Sequence, residues 1–200
     1  MAVLALIVLV VWLAVLAGIR TYIGYRQTGT VATLVRPETG SPAWLAKLIS
    51  SVGFVLAIAA PIAELAGLGP IEALDHQQLR YAGLGLAMAG IVGSFAAQLA
   101  MGSSWRGDVD SDARTPLVTD GPFRVVRNPI LTCTAATAIG LALMVPNVVA
   151  LPMLAAILVG MQVQVRLVEE PYLTRAHGDA YRRYASRTGR FLPGLGRLRA

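Results

Sequence analysis

The sequence predicts an all-α integral membrane protein, a bundle of about five transmembrane helices. Its composition, its apolar runs and the distribution of its basic residues carry this prediction. Hydrophobic residues make up 56% of the 200 residues and charged residues 14%, against about 45–50% and about 25% in soluble domains. Because so few charges cannot cover so much apolar surface in water, lipid must be the main solvent of the chain. The length suits a single membrane domain over residues 1–200.

Five apolar runs approach the length of about 20 residues that a membrane-spanning helix needs. They cover about residues 2–19, 43–65, 79–101, 129–145 and 148–165. Pro129 suits the first turn of the fourth span, and Pro146 with Asn147 predicts a tight turn before the fifth, so spans four and five should pack together. Residues 1–102 therefore hold three spans, and residues 103–200 hold a polar loop, a helical hairpin and a charged C-terminal helix.

The basic residues predict the orientation of these spans. With five spans, the loops after spans one and three share one side of the membrane with the C-terminal tail. These segments carry sixteen of the 17 Lys and Arg residues, and the opposite side carries only Arg80. The positive-inside rule then places the N-terminus outside and the C-terminus in the cytoplasm of a multi-pass inner-membrane protein. The same distribution explains the net charge of +6 without a nucleic-acid partner.

Polar residues at the end of the fifth span predict a functional site. Arg166 and Glu170 are four residues apart, which places them on one face of a helix and within reach of each other. Two adjacent carboxylates, Glu169 and Glu170, are costly beside hydrocarbon, and ionisable groups there indicate function. The alternative is a plain interfacial salt bridge. One cysteine and two distant histidines predict neither a disulfide nor a metal site.

Three other features have simpler interpretations. Arg124 and Arg127, before the fourth span, are typical of side chains that anchor a helix at lipid headgroups. The tyrosines and arginines of the tail predict an amphipathic helix at the membrane surface. The glycines of the third span, which include Gly83 and Gly90, indicate close helix packing.

Taken in order, the polar motifs resemble those of the isoprenylcysteine carboxyl methyltransferase family of integral membrane enzymes. The resemblance covers roughly residues 105–193, whereas spans one to three match only as apolar helices. The motifs are Leu117-Val118-Thr119-Asp120-Gly121-Pro122-Phe123, Arg127-Asn128-Pro129, Arg166 with Glu169-Glu170, Gly178 with Tyr181 and Tyr184, and Pro193.

This resemblance implies a cytosolic S-adenosylmethionine pocket formed by the loop before span four and the C-terminal helix. The implied activity is methyl transfer by in-line displacement to a lipophilic or lipidated acceptor in the membrane. The implied cofactor-binding residues are Thr115, Leu117, Val118, Phe123, Asn128, Pro129 and Glu170. Arg166 takes the catalytic, substrate-side role, for which its planar fork suits a carboxylate. Glu170 would offset the positive charge of the cofactor.

Three departures from the family pattern bear on which methyl acceptor the protein uses. Asn128 replaces the usual His, Phe123 replaces Tyr, and Leu131 stands where a second Tyr is common. We therefore expect a lipophilic acceptor other than a prenylcysteine. Two alternatives stay open: a sterol-type membrane reductase whose arginines hold the phosphates of NADPH, and a small non-enzymatic membrane protein. Such reductases usually have more than five spans.

Overall fold

The computed structural model describes residues 1–19, 25, 37–101 and 116–198. Thr115 and several basic residues of the two loops predicted to be cytosolic lie outside these ranges. Within them the regular elements are helices without strands, and one isolated parallel bridge joins Val126 to Gly189. The prediction of an all-α protein is confirmed.

Five apolar helices lie where the five spans were predicted. They are α1 (Ala2–Leu13, continued by a π-helix at Ala14–Ile19), α2 (Pro42–Leu65), α3 (Gln77–Met101), α4 (Pro129–Met144) and α5 (Ala150–Val163). A π-helix at Gln164–Glu169 joins α5 to α6 (Glu170–His177), and α7 (Asp179–Arg187) follows. Among the described helices, α2, α3 and the continuous run Ala150–His177 are long and apolar enough to cross a membrane, whereas α1 and α4 are shorter.

Side chains at the helix ends fix two of the connections. The Ser41 hydroxyl accepts a hydrogen bond from the Trp44 N–H (3.2 Å) and so caps α2. Asn147 lies fully buried in the turn between α4 and α5, where its Oδ1 accepts from the N–H groups of Val149 (3.0 Å) and Ala150 (3.2 Å). Its Nδ2 donates to the carbonyl of Ala60 (2.9 Å), so the predicted turn is also tied to α2.

Glycines allow the helices to approach closely. A Cβ at Gly83 would lie 2.7 Å from the carbonyl oxygen of Gly140, and one at Gly90 would overlap the Thr137 hydroxyl. These contacts pack α3 against α4, which confirms the close packing predicted for the third span. In the same way Gly53 of α2 meets Ile157 of α5. Spans four and five also touch, but their main partners are α3 and α2.

The far end of the bundle, where α4 ends, is held by the Arg80 guanidinium. Its Nη1 donates to Glu64 Oε1 (2.8 Å) and to the carbonyl of Met144 (3.2 Å), and its Nε donates to Asp75 Oδ1 (3.0 Å). These bonds connect the ends of α2 and α4 to the start of α3. Arg80 therefore has a structural explanation. Those predicted site residues that the structure describes lie at the other end of α4.

Candidate active site

The loop before α4 and the C-terminal segment meet at the end of the bundle where α4 begins. The Arg127 N–H donates to the carbonyl of Gly189 (2.8 Å), and the Asn128 N–H donates to that of Arg190 (3.1 Å). The Thr132 hydroxyl donates to the carbonyl of Phe191 (2.8 Å). The two segments expected to form a pocket together are thus joined backbone to backbone.

Arg127, Glu170 and Arg190 form a buried ionic group here, called the arginine–glutamate cluster below. Glu170 Oε1 accepts from Arg127 Nη2 (2.6 Å) and from Arg190 Nε (2.8 Å), and Oε2 accepts from Arg190 Nη2 (2.8 Å). Arg127 is 6% exposed and Glu170 is 8% exposed. Such charge-assisted, partly bidentate bonds are among the strongest that side chains make.

The rest of the Arg127 guanidinium holds the C-terminal backbone. Its Nη1 donates to the carbonyls of Ala185 (2.8 Å) and Thr188 (2.6 Å), and its Nη2 also donates to that of Gly196 (2.9 Å). These carbonyls lie at the end of α7 and in the segment after it. The buried Nε–H finds no hydrogen-bond partner in the part of the chain that the structure describes.

The charges of the cluster do not balance. Two guanidinium groups surround one carboxylate, so one positive charge is left over in a largely buried site. The hydrogen bond to Glu170 raises the pKa of Arg190 above its ordinary value. A site with this charge and a spare N–H donor favours an anionic group.

Two tyrosines of α7 pack against this region. The Tyr181 side chain is buried, and burial, followed by the negative charge of Glu170, raises its pKa to about 12. Burial also raises the pKa of Tyr184 to about 12, and its hydroxyl donates to the carbonyl of Phe123 (2.7 Å). The helix is amphipathic, as predicted, but its tyrosine face packs on protein, whereas Arg182 and the neighbouring arginines are exposed.

The predicted pairing of Arg166 with Glu170 is wrong. Residues Gln164–Glu169 are π-helical, and i→i+5 hydrogen bonds change which side chains share a face. Arg166 is exposed and its Nε donates to Gln162 Oε1 (2.8 Å), while Glu170 turns to the cluster. The neighbouring carboxylate, Glu169, accepts a hydrogen bond from Gln164 Nε2 (3.3 Å).

Most of the other predicted cofactor residues lie at this same end. Leu117, Val118 and Asn128 are half-buried, and Phe123 and Pro129 are buried; Thr115 lies outside the described residues. Asn128 Nδ2 donates to the carbonyl of Arg190 (3.1 Å), a bond that ties it to the C-terminal segment.

Sequence reasoning missed the two arginines of the cluster. Anchoring of α4 at lipid headgroups was one of two open interpretations of Arg127, and its burial and its bonds contradict it. Its position directly before Asn128 and Pro129, inside the motif, was the available signal. Arg190 stands among many tail arginines, and nothing in its neighbourhood distinguishes it.

Comparison with known families decides the assignment. The profile of the phospholipid methyltransferase family matches residues 79–180, which run from α3 into α7 and make up half of the chain. The chain belongs to the phospholipid methyltransferase family. This family of integral membrane methyltransferases includes the isoprenylcysteine carboxyl methyltransferases, so the predicted resemblance is confirmed at family level. A search of curated proteins finds no match.

Family membership gives the activity in general terms. The protein is a membrane methyltransferase of a family that acts on lipid-like substrates and generally uses S-adenosylmethionine. The assignment favours methyl transfer over the NADPH-dependent reductase and over a non-enzymatic membrane protein. The matched region contains Arg127 and Glu170 but ends before Arg190.

Proposed function

We propose that the protein transfers a methyl group from S-adenosylmethionine to a lipophilic acceptor in the membrane, at the end of the bundle that holds the arginine–glutamate cluster. The observation that carries the proposal is the buried Arg127 guanidinium, whose Nε–H has no partner among the described residues. It lies where the two segments assigned to the cofactor meet. When bound, the cofactor would supply a methyl group on a positively charged sulfur, so that a lone pair of the acceptor bonds to the methyl carbon while the carbon–sulfur bond breaks and S-adenosylhomocysteine leaves.

The cluster fits the amino-acid end of this cofactor. That end carries a carboxylate, and the cluster offers an excess positive charge and the spare N–H donor of Arg127. Glu170 already accepts three N–H bonds, so it acts by holding Arg127 and Arg190 in place rather than by pairing with the sulfonium. The rest of the proposed pocket is lined by Leu117, Val118, Phe123, Asn128 and Pro129, and Thr115 stays a predicted cofactor residue outside the described part of the chain.

Arg166 keeps its proposed place on the substrate side. Its exposed guanidinium lies in the π-helical segment Gln164–Glu169, four residues before Glu170. An arginine there can bind an anionic group of a lipid through its planar fork. The residues that hold cofactor and acceptor accelerate the reaction mainly by positioning them. We assign the protein to an isoprenylcysteine carboxyl methyltransferase-like subtype. The departures from the pattern of that subtype favour an acceptor other than prenylcysteine; they are Phe123, Asn128 and Leu131.

The site is proposed to face the cytoplasm of a cell with an inner membrane. The cofactor is made in the cytoplasm. The side of the membrane that carries the two loops and the tail also holds sixteen of the 17 Lys and Arg residues, and such an excess of basic residues marks the cytoplasmic side. A reporter enzyme that is active only in the periplasm should be silent when fused after Ala200. Strong reporter activity would place the site on the wrong side.

Thermal unfolding of the protein in nanodiscs tests the proposed cofactor. S-adenosylhomocysteine at a hundred times its dissociation constant should stabilise the protein by about 2.7 kcal/mol, while NADPH should leave the melting temperature unchanged. Stabilisation by NADPH alone would support the reductase. No stabilisation by either compound would support the non-enzymatic protein.

A further inference from the structure

Two buried polar side chains of α3, Ser94 and Gln98, carry oxygen atoms that have no hydrogen-bond partner among the described residues. Ser94 is 0% exposed and Gln98 is 1% exposed. Neither Ser94 Oγ nor Gln98 Oε1 has a hydrogen-bond partner among the residues that the structure describes. An unpaired buried polar group costs about 1–3 kcal/mol. Because they are four residues apart, both lie on the same face of α3.

Other polar side chains of the same bundle do find partners. The Thr137 hydroxyl donates to the carbonyl of Cys133 (3.0 Å), four residues earlier in its own helix. Thr132 likewise donates to the carbonyl of Asn128 (2.9 Å). A serine inside a helix can make this bond, but the Ser94 hydroxyl does not make it. Polar residues at membrane depth that lack a structural partner indicate a binding function.

Their position follows from the packing of α3 against α4. A Cβ at Gly93 would lie 2.8 Å from Cys133 Sγ. The helices are antiparallel and rise about 1.5 Å per residue. Gln98 comes five residues after Gly93 and therefore lies level with Asn128, five residues before Cys133. The unpaired groups are thus at the same end of the bundle as the arginine–glutamate cluster.

A second contact supports this placement. A Cβ at Gly121 would lie 3.9 Å from the Cβ of Ala100. The end of α3 therefore packs against the short 3-10 turn Gly121–Arg124, which contains Phe123. Gln98 comes two residues before Ala100, about 200° around the helix, so this contact fixes its level in the bundle next to that turn.

We propose that Ser94 and Gln98 bind the reacting head group of the lipid substrate and select a hydroxyl or an amine over a carboxylate. Gln98 Oε1 can only accept a hydrogen bond, so it needs a ligand that carries a proton. A hydroxyl or an amine brings that proton, whereas a carboxylate brings only acceptors and a negative charge. The Ser94 hydroxyl can donate or accept, so it fits the same group. This inference rests on the proposed function, because the bound head group is the one that is methylated.

Binding of three single-chain probes to the protein in nanodiscs tests the inference. Hexadecanol, hexadecylamine and palmitate share an alkyl chain and differ in the head group. The two proton-bearing probes should raise the melting temperature of the wild type, and palmitate should not. Gln98→Leu should bind the two proton-bearing probes about tenfold more weakly. Without a probe, this variant should unfold at the same or a higher temperature than the wild type, because the change removes an unpaired polar group. Ser94→Ala should show the same pattern more weakly.

Thr137→Val is the matched control, because it removes a buried hydroxyl that is already paired. It should lower the melting temperature and leave the preference among the probes unchanged. Gln98→Leu with this same behaviour would show that Gln98 is structural and overturn the inference. Equal stabilisation by palmitate, or no response of the wild type to any probe, would overturn it as well. S-adenosylhomocysteine binding, measured separately, reports on the proposed function, so the two failures are distinguishable.

Discussion

Arg127→Met is expected to lower the free energy of unfolding by about 3–5 kcal/mol, the usual effect of removing one partner of a buried ion pair. The change deletes the bond to Glu170 and the bonds to three backbone carbonyls of the C-terminal segment. Arg127→Lys restores the charge but not the planar fork, so it should recover only part of the loss. Unfolding by denaturant in detergent measures both variants.

Arg124→Met is the control for this prediction. Arg124 lies three residues earlier in the same loop and is exposed, so its replacement should change stability by less than about 0.5 kcal/mol. Equal stability of the Arg124 and Arg127 variants would show that the cluster does not hold the C-terminal segment in place.

Glu170→Gln is expected to lower the affinity for S-adenosylhomocysteine by about ten- to a hundredfold. Glutamine keeps the shape of the side chain but leaves Arg127 and Arg190 without their shared counter-ion. Arg190 should then separate from the cluster, and Arg127 should no longer be held where the cofactor needs it. Affinity measured in nanodiscs gives the main result, and limited proteolysis after residue 188 reports the release of the C-terminal segment.

Glu169→Gln provides the comparison. Glu169 accepts from Gln164, whereas Glu170 binds both arginines, so Glu169→Gln should lose distinctly less affinity than Glu170→Gln. Wild-type affinity in Glu170→Gln would place the cofactor elsewhere in the molecule. A larger loss in Glu169→Gln than in Glu170→Gln would mean that the neighbouring carboxylate is the one that matters.

The helices could be predicted from the sequence because the physics of the membrane acts locally. Each span is a continuous apolar run, and the turn at Pro146 and Asn147 is encoded by adjacent residues. The packing of α3 on α4 was also readable, since Gly83 and Gly90 leave room that a neighbouring helix must fill. These features depend on composition and spacing over a few residues.

The partners of Glu170 could not be predicted in this way. Arg127 lies 43 residues before it and Arg190 lies 20 residues after it, and only the return of the tail over the loop brings them together. The π-helix before Glu170 also has no signature in the sequence, and it removed the expected pairing with Arg166. Recognition of the family identified Glu170 but not the arginines that bind it.

Transfer of tritiated methyl groups tests the central claim most directly. Purified protein in nanodiscs of total membrane lipid is incubated with labelled S-adenosylmethionine, and organic-extractable lipid is counted apart from protein and solvent. The wild type should place label in the lipid fraction, and Glu170→Gln should place much less there. Binding of S-adenosylhomocysteine without any label in lipid, or equal labelling by both proteins, would contradict methyl transfer to a membrane lipid at the arginine–glutamate cluster.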